Sequence, residues 1–178
     1  MTRQWRSVKE ATVCIGLVLG FLGGARSSTA TMIGGVDFNI EYWAGTGPNK
    51  AVLVIDFLAT GGDVYGFGYR FDGTATGYDM IQAVAAAGDL DFQATTFPGF
   101  GTYIDNFSYG TEIGNVDLWW QYFIGTPDDG TVSWTSASEG MSTRILSDGT
   151  IDGWYNGFDG HQPRLPVSAP VPEPTTAM

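Results

Sequence analysis

Hydrophobic and polar residues alternate along several short segments of the chain, which is the pattern of half-buried β-strands. Residues 36–42 (VDFNIEY) alternate without a break, whereas residues 51–57 (AVLVIDF) form a continuous, largely β-branched run. Such a run predicts a central strand buried on both faces. Turns rich in Gly, Pro, Asn and Asp separate the further predicted strands, which are residues 64–71, 90–96, 100–107, 118–124, 131–135 and 151–155.

One helix is predicted among these strands. Thr76 and Asp79 have the spacing of a capping box, and the run 80–87 (MIQAVAAA) carries one apolar stripe before Gly88 ends it. The order of strands, one helix and more strands predicts an α+β domain. In such a domain the principal helix packs on a mostly antiparallel or mixed sheet.

The middle of the chain resembles the β-grasp domains that are similar to the C-terminal part of cobalamin carriers, the transcobalamin C-terminal-like family. The resemblance covers roughly residues 35–159 and is carried by the helix 77–88, the Trp-rich strand 119–124 and the turn 146–150 (LSDGT). It implies a β-grasp-like fold and a ligand- or partner-binding module. Thr150 stands where the family has a second acidic residue. Cobalamin binding is not implied, because in the carriers that ligand also needs a separate helical domain.

The N-terminal residues have the three parts of a secretion signal. Residues 1–9 are basic, residues 11–25 are apolar but short for a membrane span of about 20 residues, and small residues follow. We predict a cleaved signal peptide over residues 1–30, with cleavage after Ala30 and with Ala25 as a second candidate. An uncleaved N-terminal anchor or a buried helix is the alternative.

The C-terminal residues 161–178 are rich in proline and are predicted to form an extended linker. Its end resembles the opening motif of the PEP-CTERM sorting signal, formed by Val171, Pro172, Glu173 and Pro174. The resemblance implies export through the periplasm to the surface of a Gram-negative bacterium and processing by an exosortase-type sorting enzyme. In that family a membrane helix and an arginine cluster follow the motif. Neither follows here, so we expect the tag to be truncated or not functional.

Charge and cysteine content narrow the range of functions. The formal net charge is −11, and it becomes about −14 once residues 1–30 are removed. A surface of this sign repels phosphate backbones and anionic lipid, so no nucleic acid is expected as a partner. Cys14, the single cysteine, lies in the predicted signal. The mature chain is therefore expected to have no disulfide, zinc–thiolate site or cysteine nucleophile.

The polar residues do not assemble into a recognisable catalytic motif. His161, the single histidine, is adjacent to the linker and is poorly placed for a general base. The turns 128–130 (DDG) and 148–153 (DGTIDG) offer oxygen ligands for calcium, but Asp-Gly is also a common turn sequence. No spacing pairs the glutamates as glycosidases require. We therefore predict no catalytic residue, no metal and no cofactor; the glutamates considered are Glu41, Glu112 and Glu139.

Aromatic residues are the strongest candidates for binding. In an alternating strand, Trp119 points to one face, whereas Trp120 and Tyr122 point to the other. The face away from the core then exposes a large ring that can stack on a sugar or another flat ligand, unless a loop or the helix covers it. The candidate binding residues are Trp119, Trp120, Tyr122, Trp134 and Trp154.

These observations predict a single α+β, β-grasp-like domain over residues 31–160, flanked by the signal peptide and the linker. The expected role is a non-enzymatic one, in binding or structure, at a bacterial surface or in its extracellular matrix. The partners expected, besides the export machinery and the sorting enzyme, are an exopolysaccharide or another surface protein. A secreted hydrolase that uses acidic residues and a calcium-stabilised adhesion module are the alternatives.

Overall fold

The computed structural model of the protein describes residues 29–167. Within this range the chain forms ten β-strands, one α-helix and a short 3-10 helix at Leu58–Thr60, between β3 and β4. The elements in chain order are β1 (Thr29–Ile33), β2 (Val36–Gly45), β3 (Asn49–Asp56), β4 (Val64–Phe71), α1 (Gly77–Ala87), β5 (Leu90–Phe97), β6 (Gly101–Tyr109), β7 (Glu112–Ile113), β8 (Trp120–Asp128), β9 (Thr131–Ser136) and β10 (Thr150–Asn156).

The strands belong to two sheets. The larger sheet has the order β1-β2-β4-β3-β10-β8-β9, and the smaller one has the order β5-β6-β7. In the larger sheet β2 pairs with β4 in parallel, as β3 does with β10, and the other neighbours are antiparallel. The last strand that the structure describes, β10, therefore lies inside the sheet, between β3 and β8.

The predicted α+β, β-grasp-like fold is wrong, because the protein is mainly β. Strands account for 53% of the structure and helices for 10%, and the larger sheet curls into a half-barrel. The predicted strands and the helix do form, and β1 and β7 are added to them. What local patterns do not contain is the division into two sheets. A single helix covers only part of one face of a seven-stranded sheet, so β5 and β6 complete that layer and the curl buries the other face.

Helix α1 begins as its sequence predicts. The backbone N–H of Asp79 donates to Thr76 Oγ1 at 3.1 Å, and the N–H of Thr76 donates to Asp79 Oδ2 at 2.8 Å, which completes the capping box. The helix buries Met80, Ile81 and Val84. It thereby covers the first of two hydrophobic cores.

The two cores lie on opposite faces of the larger sheet. Leu53 and Ile55 of β3 belong to the first core, under α1 and the smaller sheet, whereas Val52 and Val54 belong to the second, inside the curl. This explains why 51–57 is apolar at nearly every position. The curl also brings distant parts of the sheet together, since a Cβ atom at Gly34 would lie 2.5 Å from Pro127 Cγ.

Residues 163–166, called the strap here, lie across the larger sheet from β10 to β2, since Pro163 approaches Gly153 and Pro166 approaches Gly66 and Asn39. Pro163 and Pro166 are buried, and Leu165 packs against the second core. The carbonyl oxygen of Pro166 accepts a hydrogen bond from the N–H of Asn39 on β2. The sequence predicts an extended linker from residue 161 onward. In the structure, residues 163–166 of this segment pack on the domain.

Arg164 fixes the strap by binding Asp56, a carboxylate that is fully buried at the end of β3. Its guanidinium Nη2 donates to Asp56 Oδ1 at 2.7 Å, and its backbone N–H donates to Asp56 Oδ2 at 2.7 Å. The N–H of Leu58 also donates to Asp56 Oδ1, at 2.9 Å. Arg164 Nη2 donates in addition to the carbonyl oxygen of Gly62, at 2.7 Å. Asp56 is the acidic residue within the apolar run 51–57, and it requires a partner of this kind.

We predict that Arg164→Ala lowers the free energy of unfolding by about 3 kcal/mol, because it leaves the Asp56 carboxylate buried without its cation. Urea unfolding of the purified chain measures this difference. Removal of residues 168–178 is the control, and it should leave the midpoint unchanged because residues 163–166 keep their contacts with Asp56, Asn39 and the second core. An Arg164→Ala protein as stable as the parent would contradict the structural role of the strap.

Candidate functional site

Two adjoining cavities form an open cleft beside the smaller sheet. Their volumes are about 720 and 370 Å³. Both cavities are lined by Phe100, Tyr103, Ile104 and Trp119, so these residues form their common wall. We call the two cavities together the aromatic cleft.

The aromatic rings of this wall are open to solvent. The exposed fractions are 81% for Phe100, 71% for Trp119 and 47% for Tyr103, and Phe97 at the edge of the cleft is 50% exposed. Phe97 and Tyr103 contact each other edge to face, with ring centroids 5.6 Å apart. A contiguous exposed patch of large apolar side chains marks an interaction site far more often than a single exposed ring does.

The loop that carries Trp119 is anchored to the core by Asn156, the fully buried last residue of β10. Asn156 Oδ1 accepts from the N–H of Asn115 at 2.7 Å, and its Nδ2 donates to the carbonyl oxygen of Leu118 at 3.0 Å. The N–H of Gly157 donates to the carbonyl oxygen of Trp119 at 2.9 Å. Hydrogen bonds from buried groups therefore fix the backbone on which the exposed indole stands.

Asn106 anchors the same loop from β6. Its Oδ1 accepts from Trp120 Nε1 at 3.1 Å, and its Nδ2 donates to the carbonyl oxygen of Gly114 at 3.0 Å. Sequence reasoning missed both asparagines. The signal for Asn106 was its position two residues after Ile104, which puts an amide on the inward face of a strand and requires a partner for it.

The predicted binding residues divide between the cleft and the cores. Trp119 is exposed in the cleft, whereas Trp120 is buried edge to face against Phe107, with centroids 5.0 Å apart. Tyr122 and Trp154 stack at 4.6 Å and line the smaller cavity. Trp134 lies on the other face of the larger sheet, against the second core. The structure thus brings four of the five aromatics to one side and separates Trp134 from them.

A buried polar network supports the smaller cavity. Tyr122 Oη donates to Asp152 Oδ2 at 2.6 Å, and Arg144 Nε lies 3.5 Å from Asp152 Oδ1. Burial raises the pKa of Asp152 to about 6, although the Tyr122 hydrogen bond and the charge of Arg144 oppose the shift. Burial and the neighbouring Asp152 raise the pKa of Tyr122 as well. The phenol therefore remains a hydrogen-bond donor that holds the ring in place.

Two further polar atoms near this cavity are buried without a hydrogen-bond partner. They are Trp154 Nε1 and Ser142 Oγ, and both residues line the smaller cavity. An unpaired buried donor costs about 1–3 kcal/mol. Thr102, Glu139 and Thr143 also line this cavity, so its wall is not purely apolar.

The three glutamates considered in the sequence analysis do not lie together in one site. Glu41 accepts from Tyr109 Oη at 3.2 Å, and Glu139 lies 3.8 Å from Arg144 at the smaller cavity. Glu112 is half-buried in β7 and lines neither cavity of the cleft. Within residues 29–167, no three His, Cys, Asp or Glu side chains group as a metal site would need.

The acidic turns and the histidine make local contacts. Asp128 accepts from Ser133 Oγ at 3.0 Å, and Asp148 accepts from the N–H of Lys50 at 2.8 Å. His161 is exposed and lies 2.9 Å from Asp159. These contacts stabilise surface turns and the segment that follows β10.

The transport signals lie largely outside the described residues. Two of them lie outside residues 29–167: the candidate cleavage site Ala25 and the sorting motif formed by Val171, Pro172, Glu173 and Pro174. Ala30 lies in β1, where it pairs with Asn39 of β2. Cleavage after Ala30 would therefore remove part of this edge strand. In the part of the chain that the structure describes, no helix is long and apolar enough to cross a membrane.

We predict that Asp152→Asn changes how stability depends on pH. The folded-state pKa of about 6 exceeds the usual 3.8, so folding favours the protonated acid. The contribution of Asp152 to the free energy of unfolding therefore falls by about 3 kcal/mol as pH rises from about 4 to about 6, and it is constant above that range. The uncharged variant lacks this loss, so its stability relative to the parent rises over the same range. Urea unfolding at pH 4 to 7 measures the difference, and parallel profiles would contradict it.

Comparison with known proteins adds no assignment to this geometry. No protein-family model matches the chain, and no curated protein is found to be similar to it. The resemblances to the PEP-CTERM sorting signal and to the transcobalamin C-terminal-like family stay predictions, although the β-grasp-like fold expected from the second is wrong.

Proposed function

We propose that this protein is exported through the periplasm to the surface of a Gram-negative bacterium, where it binds a matrix component through the aromatic cleft without catalysing a reaction. Export rests on the sequence features of residues 1–30 and of the sorting motif. The binding role rests on the cleft. The component it binds is an exopolysaccharide or another surface protein.

The observation that carries the proposal is the exposed Trp119 ring on an anchored backbone. A large ring that is 71% exposed contributes little to the free energy of folding, because little of its surface is removed from water. Its position is explained if the ring contacts a ligand. Asn156 and Asn106 hold the loop before any ligand arrives. A ligand that stacks on Trp119 therefore loses little affinity to ordering of the loop, which is the advantage of a preorganised site.

The carboxylates of the cleft support binding rather than hydrolysis. Asp105 lines the larger cavity and Glu139 the smaller, so each cavity has a single carboxylate. Thr95 Oγ1 donates to Asp105 at 2.6 Å, and Arg144 lies beside Glu139. A glycosidase needs an acid and a second carboxylate across one scissile bond. The buried Asp152 is bound to Tyr122 and lines neither cavity.

The acidic turns give no support to the calcium-stabilised alternative. Asp148 and Asp128 accept hydrogen bonds from the chain itself and so stabilise the turns in which they lie. Calcium binding by a protein loop requires several oxygen ligands that converge on one point. The cleft is consequently the feature on which a function is best proposed.

The test is export and surface retention of the full chain in a Gram-negative, polysaccharide-producing host. We expect the mature protein to lack its N-terminal signal and to sediment with washed cells and matrix. Trp119→Ala should raise the fraction released into the medium about fivefold or more, because it removes a stacking surface worth roughly 1 kcal/mol. Phe158→Ala is the control, since Phe158 is 72% exposed but lines neither cavity.

Two results would overturn the proposal. Retention of the protein in the cytoplasm would remove its surface role. Equal retention of the parent, Trp119→Ala and Phe158→Ala proteins at the cell surface would remove the role of the cleft.

A further inference from the structure

We propose that the ligand of the aromatic cleft is an uncharged carbohydrate chain, with consecutive sugar units lying along Phe100, Tyr103 and Trp119 across both cavities. This inference rests on the binding role proposed above and specifies its ligand class. Three properties of the cleft carry it: its volume, its mixture of rings and polar groups, and its charge.

The combined volume of the cleft accommodates more than one sugar unit. Pockets of roughly 300–1,000 Å³ hold one drug-sized ligand. The cleft consists of two cavities of about that size, 720 and 370 Å³, which adjoin along the wall formed by Phe100, Tyr103, Ile104 and Trp119. The exposed Phe100 and Trp119 rings stand between the two cavities, so a ligand that occupies both has to pass over these rings. A single small ring would leave most of the volume empty.

The surface chemistry fits a sugar ring. Sugars combine apolar C–H faces with hydroxyl groups around the edge, and aromatic rings offer an apolar face of negative electrostatic potential to those C–H groups. Amide and hydroxyl side chains that both donate and accept are present in each cavity, Gln93 in the larger and Thr102 and Thr143 in the smaller. Such groups match hydroxyls, which also do both.

Polar side chains in the wall of the smaller cavity argue against an apolar ligand such as an acyl chain. Thr102, Glu139 and Thr143 are among the residues that line it. An acyl chain laid over them would displace their water without replacing its hydrogen bonds, whereas the hydroxyl groups of a sugar can replace them.

Charge excludes an anionic polymer. The charged residues lining the cleft are Asp105 and Glu139, and no lysine or arginine lines either cavity. The whole chain has a net charge of −11. A uronic-acid or sulfated polysaccharide would meet repulsion along its length, whereas an uncharged glycan would not. The same reasoning excludes phosphate-bearing ligands.

The test is titration of the purified full chain, followed by tryptophan fluorescence and calorimetry at 0.15 M salt. The probes are a panel of neutral oligosaccharides of two to eight units with differing linkages, the anionic polymer alginate, and a long-chain fatty acid. We expect saturable binding to members of the neutral panel, with affinity rising with chain length. Alginate and the fatty acid should give no saturable signal.

The variants assign binding to the cleft. Phe100→Ala and Trp119→Ala should each weaken binding of the best neutral probe about tenfold. Phe158→Ala, an identical change at an equally exposed ring outside the cleft, should leave the affinity within about twofold. The urea midpoints of all three should match the parent, because the replaced rings are exposed.

The outcomes separate this inference from the proposed function. Binding of alginate or the fatty acid that is lost in Trp119→Ala, with no neutral oligosaccharide bound, overturns the ligand class but leaves the cleft as a binding site. Binding of neutral oligosaccharides that is unchanged in both cleft variants overturns the assignment of the ligand to the cleft. The inference and the proposed function are both overturned if no probe binds in a Trp119-dependent way and surface retention is the same in the parent and in Trp119→Ala.

Discussion

Burial of β10 in the middle of the larger sheet is the constraint on which the rest of the structure depends. All seven residues of β10 are buried, and the strand pairs in parallel with β3 on one side and antiparallel with β8 on the other. Ile151 faces the second core, and a Cβ atom at Gly153 would lie 2.6 Å from the Trp134 ring and 3.0 Å from Pro163 of the strap. The alternate residues Asp152, Trp154 and Asn156 face the first core and the cleft.

This arrangement connects the fold to the candidate site. Asp152 holds Tyr122, Trp154 stacks on Tyr122 at the smaller cavity, and Asn156 anchors the loop that ends in Trp119. The cleft is therefore built on a central strand even though its exposed rings stand on a loop and a hairpin. Disulfides play no part in this, since Cys14 is the single cysteine of the chain. Buried amide hydrogen bonds supply the rigidity that loops at binding sites need.

Local structure could be predicted from the sequence, whereas the architecture could not. Alternation at 36–42 and the capping box at Thr76 act over a few residues, and the structure contains the corresponding strand and helix. The pairing of β3 with β10 joins residues about one hundred positions apart, and no local pattern encodes it. The α+β prediction failed at this step, because it assigned all strands to one sheet under one helix.

The site was predictable to a similar extent. Alternation around residue 119 indicates that one of two neighbouring tryptophans is exposed, and the structure places Trp119 in that position. The same rule could not reveal that Phe100 and Tyr103 join it, because their proximity follows from the packing of β6 beside the loop. Composition alone also gives no indication that Arg164, within a Pro-rich segment, binds the buried carboxylate of Asp56.

Native-state hydrogen exchange at two amides tests the central claim, that the core anchors the Trp119 loop. The N–H of Asn115 donates to Asn156 Oδ1, and the N–H of Gly157 donates to the carbonyl oxygen of Trp119. The account predicts that both amides exchange as slowly as those of β10, since opening the loop would leave the Asn156 amide buried and unpaired. Exchange of both amides at the rate of an unstructured peptide, with β10 still protected, would contradict it.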